Sequence, residues 1–147
     1  HEDLVKHLIQ NNLVSKIAVA DKVLPDTAGL SAEELKLYKD ENGIVVYKQA
    51  NLAREATISK VFELDGGNFQ YVFNLAAITK YSQPEEVYKE NIIDVAKICA
   101  AAALKYKVQR FIHVSTGQVY SSGKKASAED DKIKPWTDIA KASLEAE

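Results

Sequence analysis

Apolar residues recur at helical spacing through Leu4, Val5, Leu8, Ile9 and Leu13. This predicts an amphipathic helix over 1–13, stopped by Asn11-Asn12. Ile17-Ala18-Val19-Ala20 is an unbroken apolar run ending at Asp21, the pattern of a buried strand. Pro25, Asp26 and Gly29 mark a loop. Ser31-Ala32-Glu33-Glu34 is a capping box, in which the hydroxyl and the carboxylate satisfy each other's backbone amides, and it opens a helix over 32–39. Asn42-Gly43 is a turn, followed by a second strand over 44–47. Ile58, Val61 and Phe62 return to helical spacing over 55–64, and Gly66-Gly67 breaks that helix. A third strand falls at 71–76. Ser82-Gln83-Pro84-Glu85 is a second capping signature, with Pro in the first turn of a long helix reaching about Tyr106. A fourth strand covers 111–115, a polar stretch covers 121–134, and Pro135-Trp136-Thr137 opens a last helix.

The strands are short apolar runs, not polar/apolar alternations, and they alternate with helices. Both features predict an α/β fold with a doubly wound parallel sheet, Rossmann-like, covered on two faces. The 147 residues, 46% hydrophobic and 27% charged, suit one globular unit without repeats or linkers. Nineteen basic and 21 acidic residues leave a net charge of −2, which gives no footing for a nucleic-acid partner. The longest plainly apolar run, 98–104, is far short of the roughly 20 residues that span a membrane. Cys99 is the single cysteine, so neither an internal disulfide nor a zinc motif is expected. One cysteine and no visible leader favour a reducing, cytoplasmic interior.

In open parallel sheets, ligands bind beyond the carboxyl ends of the strands. Asp21 ends the first strand, and its carboxylate can accept from a ribose diol and repel a 2′-phosphate; it can equally be a loop or capping Asp. Gln49-Ala50-Asn51-Leu52 follows the second strand, where an amide can meet an adenine edge or simply close an Asx turn. Ala76-Ala77 after the third strand is small enough for close ligand approach, or for tight strand–helix packing. Ser115, Thr116 and Tyr120 place hydroxyls at the end of the fourth strand, where one can hold a substrate oxygen or tie its own backbone. Asn91 shares a four-residue stripe with Val87, Val95 and Cys99, so its amide must find a backbone group or a water. His113 and Cys99 read as core residues without a chemical role.

The order of these features, Asp after the first strand, Asn74-Leu75-Ala76-Ala77, a helix with an internal Asn, then 111–120 and 135–147, resembles the extended short-chain dehydrogenase/reductase family. This is the NAD-dependent epimerase/dehydratase group, whose substrates are mostly nucleotide sugars. The resemblance spans essentially the whole chain and implies hydride transfer between NAD and a sugar nucleotide or related alcohol. It places Asp21 on the adenosine ribose, which favours NAD over NADP, and Asn51 and Leu52 on the adenine side. Ala76 and Ala77 line the cofactor. Asn91 ties a water to the active-site lysine, Thr116 is the catalytic hydroxyl, and Lys141 is the active-site lysine, with Glu145 four residues on. It also implies a homodimer through the helix at 84–106.

Two departures accompany the resemblance. The family tyrosine belongs four residues before the lysine, and Thr137 stands there; a threonine hydroxyl is too weak an acid for that proton transfer. The stretch 134–141 also resembles a eukaryotic branch of the family with a Lys-Pro-Trp-Thr-x-x-Ala-Lys pattern, a resemblance that implies the substitution is a branch property. The alternative function is therefore a catalytically inactive NAD-binding or scaffold member. The glycine motif that holds the pyrophosphate is also absent, together with the strand before it, so 1–147 reads as a partial NAD(P)-binding domain lacking its substrate-binding C-terminal part. The missing first strand belongs between those at 17–21 and 71–76, which predicts a gap, a substitute segment or direct pairing there.

Overall fold

The computed structural model describes residues 2–39, 43–120 and 126–147. Helix α1 (Glu2–Gln10) carries Glu2 and Asp3 in its first turn and buries Val5. It stops short of Leu13 because Asn12 turns left-handed, with φ 50°, and Leu13 N–H reaches back to Leu8 O. Strand β1 (Ile17–Asp21) pairs in parallel with β2 (Val45–Gln49), register Ile17 to Val45 and Asp21 to Gln49. Between them α2 (Ala32–Tyr38) starts on the expected capping box: Ser31 Oγ accepts Glu34 N–H, and Glu34 accepts Ser31 N–H at 2.7 Å. Asn42 of the expected Asn42-Gly43 turn lies outside the described residues, as do 121–125 of the polar stretch.

Helix α3 (Glu55–Phe62) ends into a 3₁₀ turn, Leu64–Gly67. Gly66 and Gly67 have φ 81° and 77°, and a Cβ on Gly67 would sit 3.1 Å from Phe62 O, so the break needs glycine there. Strand β3 (Tyr71–Asn74) pairs in parallel with β4 (Arg110–His113). Both are shorter than the apolar runs suggest. Asn74 Oδ1 accepts the Ala76 N–H at 3.2 Å, which curls the chain away from the sheet. The long helix is three segments: α4 (Glu85–Tyr88), a π-helical stretch Lys89–Asp94, and α5 (Val95–Lys105). The second capping signature does not form; Pro84 is the N-cap without a side-chain bond, because Ser82 turns left-handed and Gln83 N–H goes to Tyr88 Oη. Helix α6 (Asp138–Ala146) closes the chain and buries Ile139, Ala140, Ala142 and Ser143.

The sheet is divided into two parallel pairs, β1–β2 and β3–β4, with no described strand joining them. A cavity of about 240 Å³ lies between the edges of β1 and β3, floored by α1 and α3 through Val5, Leu8, Ile58 and Phe62. This is the gap expected for an absent central strand. Tyr71 and Phe73 are 56% and 42% exposed, although they sit in a strand that would be interior in a complete sheet. The core divides accordingly. Val5, Val19 and Val45 form one cluster; Ile58, Phe62, Val95, Cys99, Ala102 and Ala103 a second; Tyr88, Ile92, Ile93, Ile139 and Ala142 a third. No described helix is long and apolar enough to cross a membrane.

Candidate active site at the strand ends

The carboxyl ends of the strands carry the polar groups. Asp21 accepts the Val23 N–H on Oδ1 at 3.0 Å, while its Oδ2 takes no hydrogen bond from a described residue. It is therefore both a loop-closing Asp and a half-exposed carboxylate with one oxygen available. Asn51 Oδ1 accepts the Ala53 N–H at 3.0 Å, which is the Asx-turn reading of this amide. Leu52 and Ala76 pack against the α3–α5 core, and Ala77 is exposed. Asn91 lies within the π-helical stretch, a distortion that often marks functional positions. Its Nδ2 donates to Val87 O at 2.9 Å, the backbone tie expected of it, and its Oδ1 accepts from Lys22 Nζ at 2.9 Å.

Thr116 is the N-cap of the 3₁₀ turn Gly117–Val119, and its Oγ1 accepts the Gln118 N–H at 3.3 Å. Thr137 is the N-cap of α6, with Oγ1 accepting the Ala140 N–H at 3.0 Å and donating to Gln118 Oε1 at 2.7 Å. Gln118 Nε2 in turn donates to Tyr81 Oη at 2.7 Å. One side chain thus joins the third strand's exit loop, the fourth strand's exit turn and the start of α6. Lys141 pairs within its own helix: its Nζ donates to Asp138 Oδ1 at 2.9 Å, both side chains 64% exposed. No hydrogen bond links Thr116, Lys141 and Asn91 to one another among the described residues; each has a different partner.

His113 accepts at Nδ1 from the Asn74 amide at 3.1 Å, but its Nε2 is buried without a hydrogen-bond partner among the described residues. It is a core histidine satisfied on one side only. Burial pushes the Cys99 thiol up to about 12, consistent with an inert core residue. Among the described residues no three His, Cys, Asp or Glu gather as a metal site. The sequence reading missed Gln118 and Tyr81. Gln118 stands two residues after Thr116, and Tyr81 is an aromatic in a polar strand-exit loop; position beyond a strand end was the signal available for both.

The model of the NAD dependent epimerase/dehydratase family matches residues 3–143, and the chain belongs to that family. Its fold is that of solved epimerases. It superposes on the UDP-glucuronic acid 4-epimerase of Bacillus cereus, solved with NAD, with a TM-score of 0.77 at 21% identity, over 99% of this chain and 45% of that one. The UDP-glucose 4-epimerase of Thermotoga maritima, solved with UDP-glucose, gives 0.76 at 21% over 99% and 44%. Bordetella bronchiseptica WbmG, solved with NAD and UDP, gives 0.77 at 17% over 99% and 43%. The chain thus spans less than half the length of these structures. Among curated protein sequences there is no significant match.

Proposed function

We propose that the chain is part of an NAD-dependent oxidoreductase of the epimerase/dehydratase kind, acting by hydride transfer on a sugar nucleotide or a related alcohol. The observation that carries this reading is the gathering of Thr116, Gln118, Thr137 and Tyr81 at the carboxyl ends of β3 and β4, where this class of sheet presents its ligands. Polar side chains converging at a strand exit can hold a sugar hydroxyl as it is oxidised. The residues fit a nicotinamide dinucleotide at the other strand ends. Asp21 keeps Oδ2 for a ribose diol and carries a charge that opposes a 2′-phosphate, which favours NAD over NADP. Asn51 and Leu52 stand on the adenine side, and Ala76 and Ala77 leave room for the dinucleotide. When bound, NAD supplies the hydride acceptor. Thr116 holds the substrate oxygen, and Lys141, released from Asp138, orients the cofactor ribose. Asn91 keeps the helix fixed behind them.

A second reading, a catalytically inactive NAD-binding or scaffold member, is favoured by one observation. Thr137 occupies the tyrosine place and spends its hydroxyl on the α6 cap and on Gln118. Titrating NAD and then NADP against the full protein by calorimetry tests the cofactor site. Saturable NAD binding with weaker NADP binding supports it, and no saturable binding of either sinks it. Reduction of NAD by a nucleotide sugar separates the two readings. A two-fold dimer through 84–106 suits the outer face of α5, where Ala100, Ala101 and Leu104 are exposed.

A further inference from the structure

We propose that the Tyr81 phenol performs the proton transfer for which Thr137 has no suitable group; this rests on the hydride-transfer reading above. Gln118 makes the case geometrically. Its backbone N–H donates to Thr116 Oγ1, its Oε1 accepts from Thr137 Oγ1, and its Nε2 donates to Tyr81 Oη at 2.7 Å. Tyr81 is the phenol joined through one residue both to the hydroxyl that holds substrate oxygen and to the position the family gives to tyrosine. Tyr120 is nearer in sequence, but it pairs its backbone with Ile133, and its side chain has no hydrogen bond to Thr116 or Thr137.

Thr137 Oγ1 accepts from Ala140 N–H and gives its proton to Gln118 Oε1. That leaves Nε2 facing Tyr81, and the phenol oxygen accepts. An oxygen that accepts from an amide is free to exchange its own proton with a substrate hydroxyl. Half-exposed, at 56%, it can also pass that proton to solvent.

The loop that carries Tyr81 is built rather than slack. The buried Tyr88, 3% exposed, clamps both sides of it: Tyr88 Oη donates to Lys80 O and accepts from Gln83 N–H, each at 3.1 Å. The Gln83 side chain holds Tyr81 O at 3.1 Å. Ser82 takes φ 56°, a left-handed conformation that a serine adopts only where its surroundings impose it. These ties fix the backbone under Tyr81 and point its ring at Gln118.

The step balances as follows. The substrate O–H bond breaks, and its proton goes to the Tyr81 phenolate oxygen. With NAD bound, its nicotinamide ring would take the hydride and its electron pair as the C–H bond of the same carbon breaks. A C=O bond forms; the alcohol is oxidised by two electrons and the dinucleotide reduced. The phenol then loses its proton to water. In the reverse direction Tyr81 donates.

The test uses the full protein with NAD and, as probes, UDP-glucose, UDP-galactose and UDP-glucuronic acid. Tyr81→Phe is expected to cut NAD reduction by about 100-fold or more and to leave NAD affinity by calorimetry unchanged. Tyr106→Phe, whose phenol bonds only the exposed Glu63 outside this cluster, is expected to keep the rate. A second readout does not depend on turnover: nitration by tetranitromethane, located by peptide mass spectrometry, is expected to slow several-fold at Tyr81 when NAD and a nucleotide sugar are both present. Tyr81→Phe that turns over at the normal rate overturns the assignment while hydride transfer stands. Nitration of Tyr81 that ignores both ligands overturns it as well. A protein that binds NAD and reduces it with none of the sugars removes the hydride-transfer reading, and Tyr81's role with it.

Discussion

Thr137 Oγ1 donates to Gln118 Oε1 at 2.7 Å while accepting the Ala140 N–H that would otherwise be an open helix end. A threonine at this place is therefore structural twice over. Thr137→Ala removes a cap and leaves Gln118 without its orienting partner, and is expected to cost about 1 kcal/mol of stability. Thr137→Ser keeps both bonds and is expected to be nearly neutral. Urea denaturation of the three proteins checks the order. Equal stability of the alanine and wild-type proteins would remove the capping role.

Asp21 gives the second prediction, on cofactor choice. Asp21→Ser removes a charged acceptor that a ribose diol can use and the charge that repels a 2′-phosphate. Hydrogen bonds to charged groups contribute about 1.5–3 kcal/mol, so NAD affinity is expected to fall by about tenfold or more. NADP affinity is expected to fall less or to rise. Calorimetry with both dinucleotides reads the ratio; an unchanged ratio would place the ribose elsewhere.

These two residues also show what was legible in the sequence. Local signals transferred well. The Ser31 capping box, the four apolar strand runs and the Gly66-Gly67 break depend on neighbours a few residues away, and each is in place. The gap between β1 and β3 was legible through topology, because a doubly wound order leaves one position empty when its strand is absent. The second capping signature was not. Ser82 has the right residue type, but the Tyr88 phenol competes for the same loop and wins. The candidate site follows the same division. Asp21, Asn51 and Thr116 could be singled out as candidates because strand ends are readable. Tyr81 and Gln118 meet across 37 positions, and no local pattern encodes that contact.

The Tyr88 clamp is the third prediction. Tyr88→Phe keeps the ring in the cluster of Ile92, Ile93 and Ile139 but leaves Lys80 O and Gln83 N–H without their partner. An unsatisfied, partly buried group costs about 1–3 kcal/mol. Tyr106→Phe, which loses only an exposed bond to Glu63, is the control and is expected to change stability by about 0.5 kcal/mol or less. Hydrogen exchange should show the Tyr88→Phe protein opening first at 80–83. Loss of stability without faster exchange there would mean the phenol does not clamp the loop.

Leu104 is 82% exposed on α5, beside exposed Ala100 and Ala101. If copies of the chain associate through this face, Leu104→Lys is expected to shift sedimentation of the full protein from dimer to monomer, since a buried unpaired ammonium is costly at an interface core. Wild-type protein that sediments as a monomer at high concentration would rule out this dimer.

The last prediction concerns alkaline pH. Burial raises the Cys99 thiol from its ordinary 9.0 to about 12. Burial also raises the phenols of Tyr38 and Tyr47 from 10.0 to about 12, with the carboxylates of Glu2 and Asp21, respectively, adding to the rise. All three groups are protonated in both states below about pH 9, so they add no pH dependence there. Between about 9 and 12 the unfolded chain releases protons that the folded chain keeps. The unfolded state then binds fewer protons, the slope of unfolding free energy against pH is negative, and stability falls. The urea midpoint is therefore expected to be flat near neutrality with respect to these groups and to drop steadily above about pH 9. In Cys99→Ala the fall should begin about one pH unit later, where the tyrosines of the unfolded chain start to ionise. The substitution also removes the sulfur from the α3–α5 core, so the diagnostic is the onset of the fall and not the absolute midpoint. A variant whose midpoint falls with the wild-type onset would show that Cys99 does not carry the early part of the titration.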